Sequence, residues 1–125
     1  MIARLIVSGN VLALNPIQFL ARVVGPTGSN VIQADITSIS VSIYDTADGS
    51  LVATHSLTVS AVIFNTLQND ARWTPDNTGY NFLWICSPAD LPGGNKTYRV
   101  QFTFTPASGS AFILPFEVKT TKIYS

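Results

Sequence analysis

Charge, cysteine and histidine are all scarce in this chain, and each scarcity closes off a class of chemistry. A single cysteine, Cys86, among 125 residues excludes an intrachain disulfide, so packing and strand pairing must hold the fold. The one histidine, His55, leaves a serine- or cysteine-type hydrolase a single choice of base. It lies within a predicted hairpin strand, with no nucleophile or ligand set nearby, so its expected role is that of an exposed strand residue. Cys86 could meet His55 only by tertiary approach, and its expected role is that of a small buried apolar residue. Charged residues make up 11% of the chain, against about 25% in ordinary soluble domains. Seven basic residues balance seven acidic ones, so no net field draws the chain to nucleic acid or to an anionic membrane, and neither partner is expected. Long apolar runs are missing too: none approaches the ~18 residues that span a bilayer. Met1 to Leu20 has Arg4 ahead of an apolar stretch, but Gly9, Asn10 and Asn15 interrupt it. A soluble chain without a cleaved signal is therefore expected.

What fills the gap left by charge is Ser, Thr and Asn, while hydrophobic residues, at 46%, are ordinary. Burying hydroxyls and amides that find partners costs less than burying unpaired charges, so such a surface suits extended protein contacts. The length suits one domain with one core.

The strongest pattern is a pair of strands near the C-terminus. From Tyr98 to Thr105, residues Tyr98, Val100, Phe102 and Phe104 share one face, and Arg99, Gln101, Thr103 and Thr105 the other. From Ala111 to Lys119, Phe112, Leu114, Phe116 and Val118 alternate with Ile113, Pro115, Glu117 and Lys119, and Pro106 to Ser110 between them has turn chemistry. Ile39, Val41 and Ile43 alternate with Ser38, Ser40 and Ser42 in another strand. Asp48-Gly49 tolerates positive φ and joins that strand to Leu51 through Leu57 as a hairpin. Phe19 to Val24 reads as a strand, as does Val59 to Asn65, and Asn69 to Pro75 reads as a loop holding Trp73. Phe82, Trp84 and Cys86 take one face of a further strand, with Leu83 and Ile85 on the other. Arg4 to Val7 and Val11 to Leu14 are short apolar pieces. The expected fold is all-β, an immunoglobulin-like antiparallel β-sandwich of about seven strands. Residues 19–125 form the sandwich, and residues 1–18 an N-terminal arm or edge strand. Asp76-x-Thr78-x-Tyr80-x-Phe82 has the spacing of a tyrosine corner, but two strands follow it, so Gly94 to Val100 is the better lead-in to the penultimate strand.

Candidates for chemistry each have a plainer role. Asp45 and Asp48 lack the full series of oxygen ligands that a calcium loop needs, and read as turn residues. Asp70 and Asp76 lie on one loop without a sign of the cleft that a glycosidase pair requires. Asn95-Lys96-Thr97 is a glycosylation sequon, relevant only in a eukaryotic secretory route. Trp73, Tyr44 and Tyr80 have rings that could stack on sugars, with core or interface packing as the plainer role. No catalytic, cofactor-binding or metal-binding residue is assigned, and no cofactor is expected.

Ala34-Asp35-Ile36-Thr37-Ser38-Ile39, Trp73-Thr74-x-Asp76-x-x-Gly79-Tyr80-Asn81-Phe82, Gly94-x-x-x-Tyr98-Arg99-Val100, Ser108-Gly109 and Pro115-Phe116-Glu117 together define a pattern. It resembles small immunoglobulin-like virion proteins of tailed bacteriophages over roughly Phe19 to Ser125. The start of the Asp35-Ile36-Thr37-Ser38-Ile39 segment is also similar to the immunoglobulin-like part of phage baseplate proteins. The resemblance implies a structural role in the virion without saying where. The first expectation is a noncatalytic capsid decoration or cement protein that binds the major capsid protein, or other virion proteins, in a multi-copy symmetric assembly. A neck, tail or baseplate adaptor is the alternative in the same class. A carbohydrate-binding surface module is a second class, which exposed aromatic rings around Trp73 would favour.

Overall fold

The computed structural model describes residues 2–5, 10–12, 17–25, 28–73, 76–91 and 94–121. Nine strands occur among them: β1 (Ile2–Leu5), β2 (Asn10–Leu12), β3 (Ile17–Val24), β4 (Ile36–Asp45), β5 (Leu51–Leu57), β6 (Ile63–Gln68), β7 (Tyr80–Cys86), β8 (Thr97–Pro106) and β9 (Phe112–Thr121). One sheet has the order β1-β3-β7-β6 and the other β2-β9-β8-β4-β5. From β3 onward these are the seven expected strands, every neighbouring pair antiparallel. Reading β1, β3, β4, β5, β6, β7, β8 and β9 as A, B, C, C′, D, E, F and G gives sheets A-B-E-D and G-F-C-C′, an immunoglobulin order.

The alternation explains why these segments pair as they do. Ile39, Val41 and Ile43 of β4 are buried, as are Tyr98, Val100, Phe102 and Phe104 of β8 and Leu114, Phe116 and Val118 of β9. A one-residue slip in register would turn each of these rows into water. Phe112, expected in the core, is half-buried and stacks on Phe104 with ring centroids 4.8 Å apart, because it begins its strand at the rim of the sandwich. Across the interior, Phe102 meets Phe19 at 5.7 Å, Phe82 at 4.9 Å and Trp84 at 5.6 Å, and within its own sheet Phe116 at 5.7 Å, each with ring planes steeply inclined. Edge-to-face geometry sets the positive ring edge on the negative face. These rings occupy the middle of a sandwich whose only cysteine is free.

One expectation about an element needs correction. Val59 to Asn65 is not one strand: Val59–Val62 forms a single helical turn, α1, and β6 follows from Ile63. Val62 and Ile63 are both buried and Val59 packs against them in the core cluster, which successive strand residues on opposite faces cannot achieve. A helical turn brings positions i, i+3 and i+4 to one side. The strand expected from Phe19 begins at Ile17. Of the arm or edge strand expected before it, the described pieces are edge strands, β1 antiparallel to β3 and β2 parallel to β9. Residues 6, 7, 13 and 14 of those two apolar pieces lie outside the described residues.

Candidate functional site

The Asp76 to Phe82 segment is the densest polar construction in the molecule, and its chemistry is architectural. Arg22 points outward from β3 and is nonetheless buried. Its Nη1 and Nη2 donate to Asp76 Oδ1 at 2.9 Å and Oδ2 at 2.7 Å, and Nη1 also donates to the Gly79 carbonyl at 3.1 Å. Asp76 Oδ1 further accepts from Trp73 Nε1 at 2.8 Å and from the Thr78 and Gly79 amides. The Arg22 guanidinium, followed by the indole N–H, holds this carboxyl well below the usual carboxylate range. Tyr80 O–H donates to Asp70 Oδ2 at 2.7 Å and accepts from Arg72 Nη2 at 2.7 Å. Arg72, then Tyr80, depresses the Asp70 carboxyl as well, while burial raises the Tyr80 phenol.

These bonds fold the loop after β6 back over the outer face of the four-stranded sheet. Leu20, Trp73 and Tyr80 form a second buried cluster there, joined by Phe64 and Leu83. Asn81 then turns inward: its Oδ1 accepts from the Val23 amide at 2.7 Å, and its Nδ2 donates to the Val23 and Val31 carbonyls. That amide replaces β7 backbone beyond the point where the β3–β7 ladder ends, at Ala21 and Phe82. The alternation therefore resets between Tyr80, in the outer cluster, and Phe82, in the main core. Burial withdraws Trp73 and Tyr80 from any sugar platform, and Tyr44 is half-buried.

The remaining candidates are also committed to scaffold. His55 sits on the same side of its sheet as Val41, its partner in register, at the open edge of the sandwich. Its Nε2 is 2.9 Å from Asp90 Oδ2 and its ring centroid 6.1 Å from that of Trp84. His55 is an exposed strand residue, as expected, and it also ties β5 to the segment after β7. Cys86 is buried, and burial, with Asp90 nearby, pushes its thiol up to about 12, so it is held protonated. Asp45 Oδ1 accepts from the Ala47 amide and Oδ2 from Lys96 Nζ at 2.8 Å; the lysine is the main cause of its lowered pKa. Asp48 accepts from the Ser50 amide and hydroxyl. Both aspartates are turn residues. Among the described residues no group of three or more His, Cys, Asp or Glu side chains could hold a metal, and no buried side-chain polar atom lacks a hydrogen-bond partner.

What remains presented is sheet surface. The outer face of β4, β8 and β9 carries Ser40, Ser42, Tyr44, Arg99, Gln101, Thr103, Ile113, Pro115 and Glu117, hydroxyl and amide groups broken by few charges. Ile113 is 53% exposed, and a depression of about 310 Å³ lies against Thr46, Arg99, Pro115, Phe116 and Glu117. Alternation alone assigns Ser40, Ser42, Arg99, Gln101, Thr103, Ile113, Pro115 and Glu117 to the outer face; the depression adds Thr46, from the β4–β5 turn, whose hydroxyl bonds the Thr97 carbonyl. Comparison with protein-family models, with curated proteins and with solved structures finds no match.

Proposed function

We propose that this chain is a noncatalytic structural protein of a bacteriophage virion, a capsid decoration or cement protein that binds the major capsid protein and works by burying sheet surface against its neighbours in the assembly. One observation carries the reading. The side chains most capable of chemistry are spent on the scaffold: His55 on Asp90, Asp70 on Arg72 and Tyr80, Asp76 on Arg22 and Trp73, and Cys86 in the core. The surface left over is a broad, sparsely charged sheet face with an exposed isoleucine. Desolvating such a face costs little, and repetition on a symmetric particle multiplies a modest contact. The sequence resemblance to immunoglobulin-like virion proteins supplies the setting.

Mass spectrometry of purified particles, separated into heads and tails, tests this. Recovery with heads, in many copies per particle, supports a decoration protein; recovery only with tails selects the neck, tail or baseplate adaptor. Absence from both fractions sinks the virion reading.

A further inference from the structure

Resting on that reading of a multi-copy assembly, we propose that the outer face of the five-stranded sheet seats a second copy of this chain. The two copies are related by a two-fold axis that lies over the β8/β9 seam and runs parallel to its strands. On this seam Arg99 stands directly across from Glu117, Gln101 from Pro115, and Thr103 from Ile113. The intervening Val100, Phe102, Leu114 and Phe116 are buried, so these six face outward.

Opposite charges directly across a sheet ordinarily attract one another. Here Arg99 Nε donates instead to Gln101 Oε1 at 3.2 Å, and among the described residues the ion pairs involve neither Arg99 nor Glu117. An unpaired cation and an unpaired anion side by side on a flat face are complementary to their own image under one operation. A two-fold axis over the seam exchanges the two strands. Arg99 of each copy then lies over Glu117 of the other, Gln101 over Pro115, and Thr103 over Ile113. Lys119 falls over Thr97, its partner in register, and not over the second copy's Lys119. This is the reciprocity that an isologous interface demands.

The shape agrees. The half-exposed Ile113 gains a cover, and the depression at the charged end of the seam has room for the incoming Arg99 stem. The strands β4, β8 and β9 are each 10 residues long. With the axis over the β8/β9 seam only β8 and β9 overlie their image, and β4 falls beyond the second copy's β9. At ~4.8 Å between strands and ~3.3 Å per residue, these two offer roughly 300 Å² of face per copy, or on the order of 600 Å² for the pair. That is smaller than a standard specific interface, so the dimer is weak and forms reversibly with concentration.

Sedimentation velocity on the full chain, from about 1 μM to about 1 mM, reads this equilibrium. The expected result is a monomer–dimer equilibrium that weakens with added salt. R99E places two acids on the seam and E117R two bases, so each alone should stay monomeric. Their equimolar mixture should associate about ten-fold or more tightly than either does with itself. Repair within one chain cannot produce that result, because each variant keeps its own mismatch. Should either variant fail to melt cooperatively, I113S must weaken the wild-type dimer about ten-fold, as loss of a covered apolar anchor. A wild-type chain that is monomeric throughout, a mixture no tighter than its components, or an I113S dimer of undiminished affinity overturns the proposal. A chain recovered from particles but without this dimer removes the seat and leaves the virion reading standing; a dimer of a chain absent from particles does the reverse.

Discussion

At the scale of single residues, Gly79 and Asp76 decide whether the loop over the four-stranded sheet can close. Gly79 has φ +108°, and a Cβ there would lie 2.4 Å from the Gln68 carbonyl oxygen, which belongs to backbone and cannot swing away. Gly79→Ala should therefore cost ~1–3 kcal/mol or more, read as a shift of the urea midpoint with unchanged slope. Asp76 has a pH signature. Its native pKa is held below its unfolded value of about 3.9, so its contribution to stability is fully present above that pH and declines as acid carries the chain toward the native pKa. Asp76→Asn should lower the melting temperature at neutral pH and flatten its fall between about pH 4 and pH 2.5. A variant whose acid limb stays as steep as wild type would assign that limb to other carboxylates, with Asp70 the first to examine because Arg72 and Tyr80 hold it low too.

At the scale of elements, the two sheets are joined chiefly by rings, with Phe102 of β8 meeting Phe19 of β3 and Phe82 and Trp84 of β7. Phe102→Ala should destabilise by ~3–5 kcal/mol, since it leaves a cavity between sheets that cannot collapse around it. A change below about 1 kcal/mol in urea melts would contradict the packing of that strand. The N-terminal strand is a different case. β1 pairs only with the outer edge of β3 through four residues, from Ile2↔Val24 to Leu5↔Ala21, while the far side of β3 is secured by β7 and by the Asn81 amide. Deleting residues 1–9 should lower the melting temperature and keep a single cooperative transition. Failure to fold would make β1 an integral first strand of the sandwich.

At the scale of the molecule, the sandwich is a scaffold that pairs Asp76 with Arg22, Asp70 with Arg72, Asp45 with Lys96 and His55 with Asp90, and whose offered surface is sheet. If the chain is the virion component proposed above, His55→Ala should leave particle assembly near wild type, with at most a small loss of thermal stability from the freed Asp90 contact. Assembly measured beside a melting curve separates the two effects. A large assembly defect with unchanged melting would place a functional contact at the open edge between β5 and the Pro88–Asp90 turn.

The chain by itself determined the class of fold, the inward rows of β4, β8 and β9 and the outward face opposite them, because period-two alternation is a local property that burial on one side alone enforces. It also marked the Asp76 to Phe82 segment by its spacing, although not what holds the segment in place. That is tertiary: Arg22 reaches Asp76 from 54 positions away and Asn81 reaches Val23 from 58, and no local pattern encodes which side chain will meet which backbone group. The helical turn at Val59–Val62 was hidden for the same reason, since β-branched residues favour a strand until two neighbours must both face the core. Whether β1 and β2 stand free or lie along a sheet was equally beyond local reading, because an edge strand is defined by the partner it finds, and only the folded chain supplies β3 and β9 at the right place.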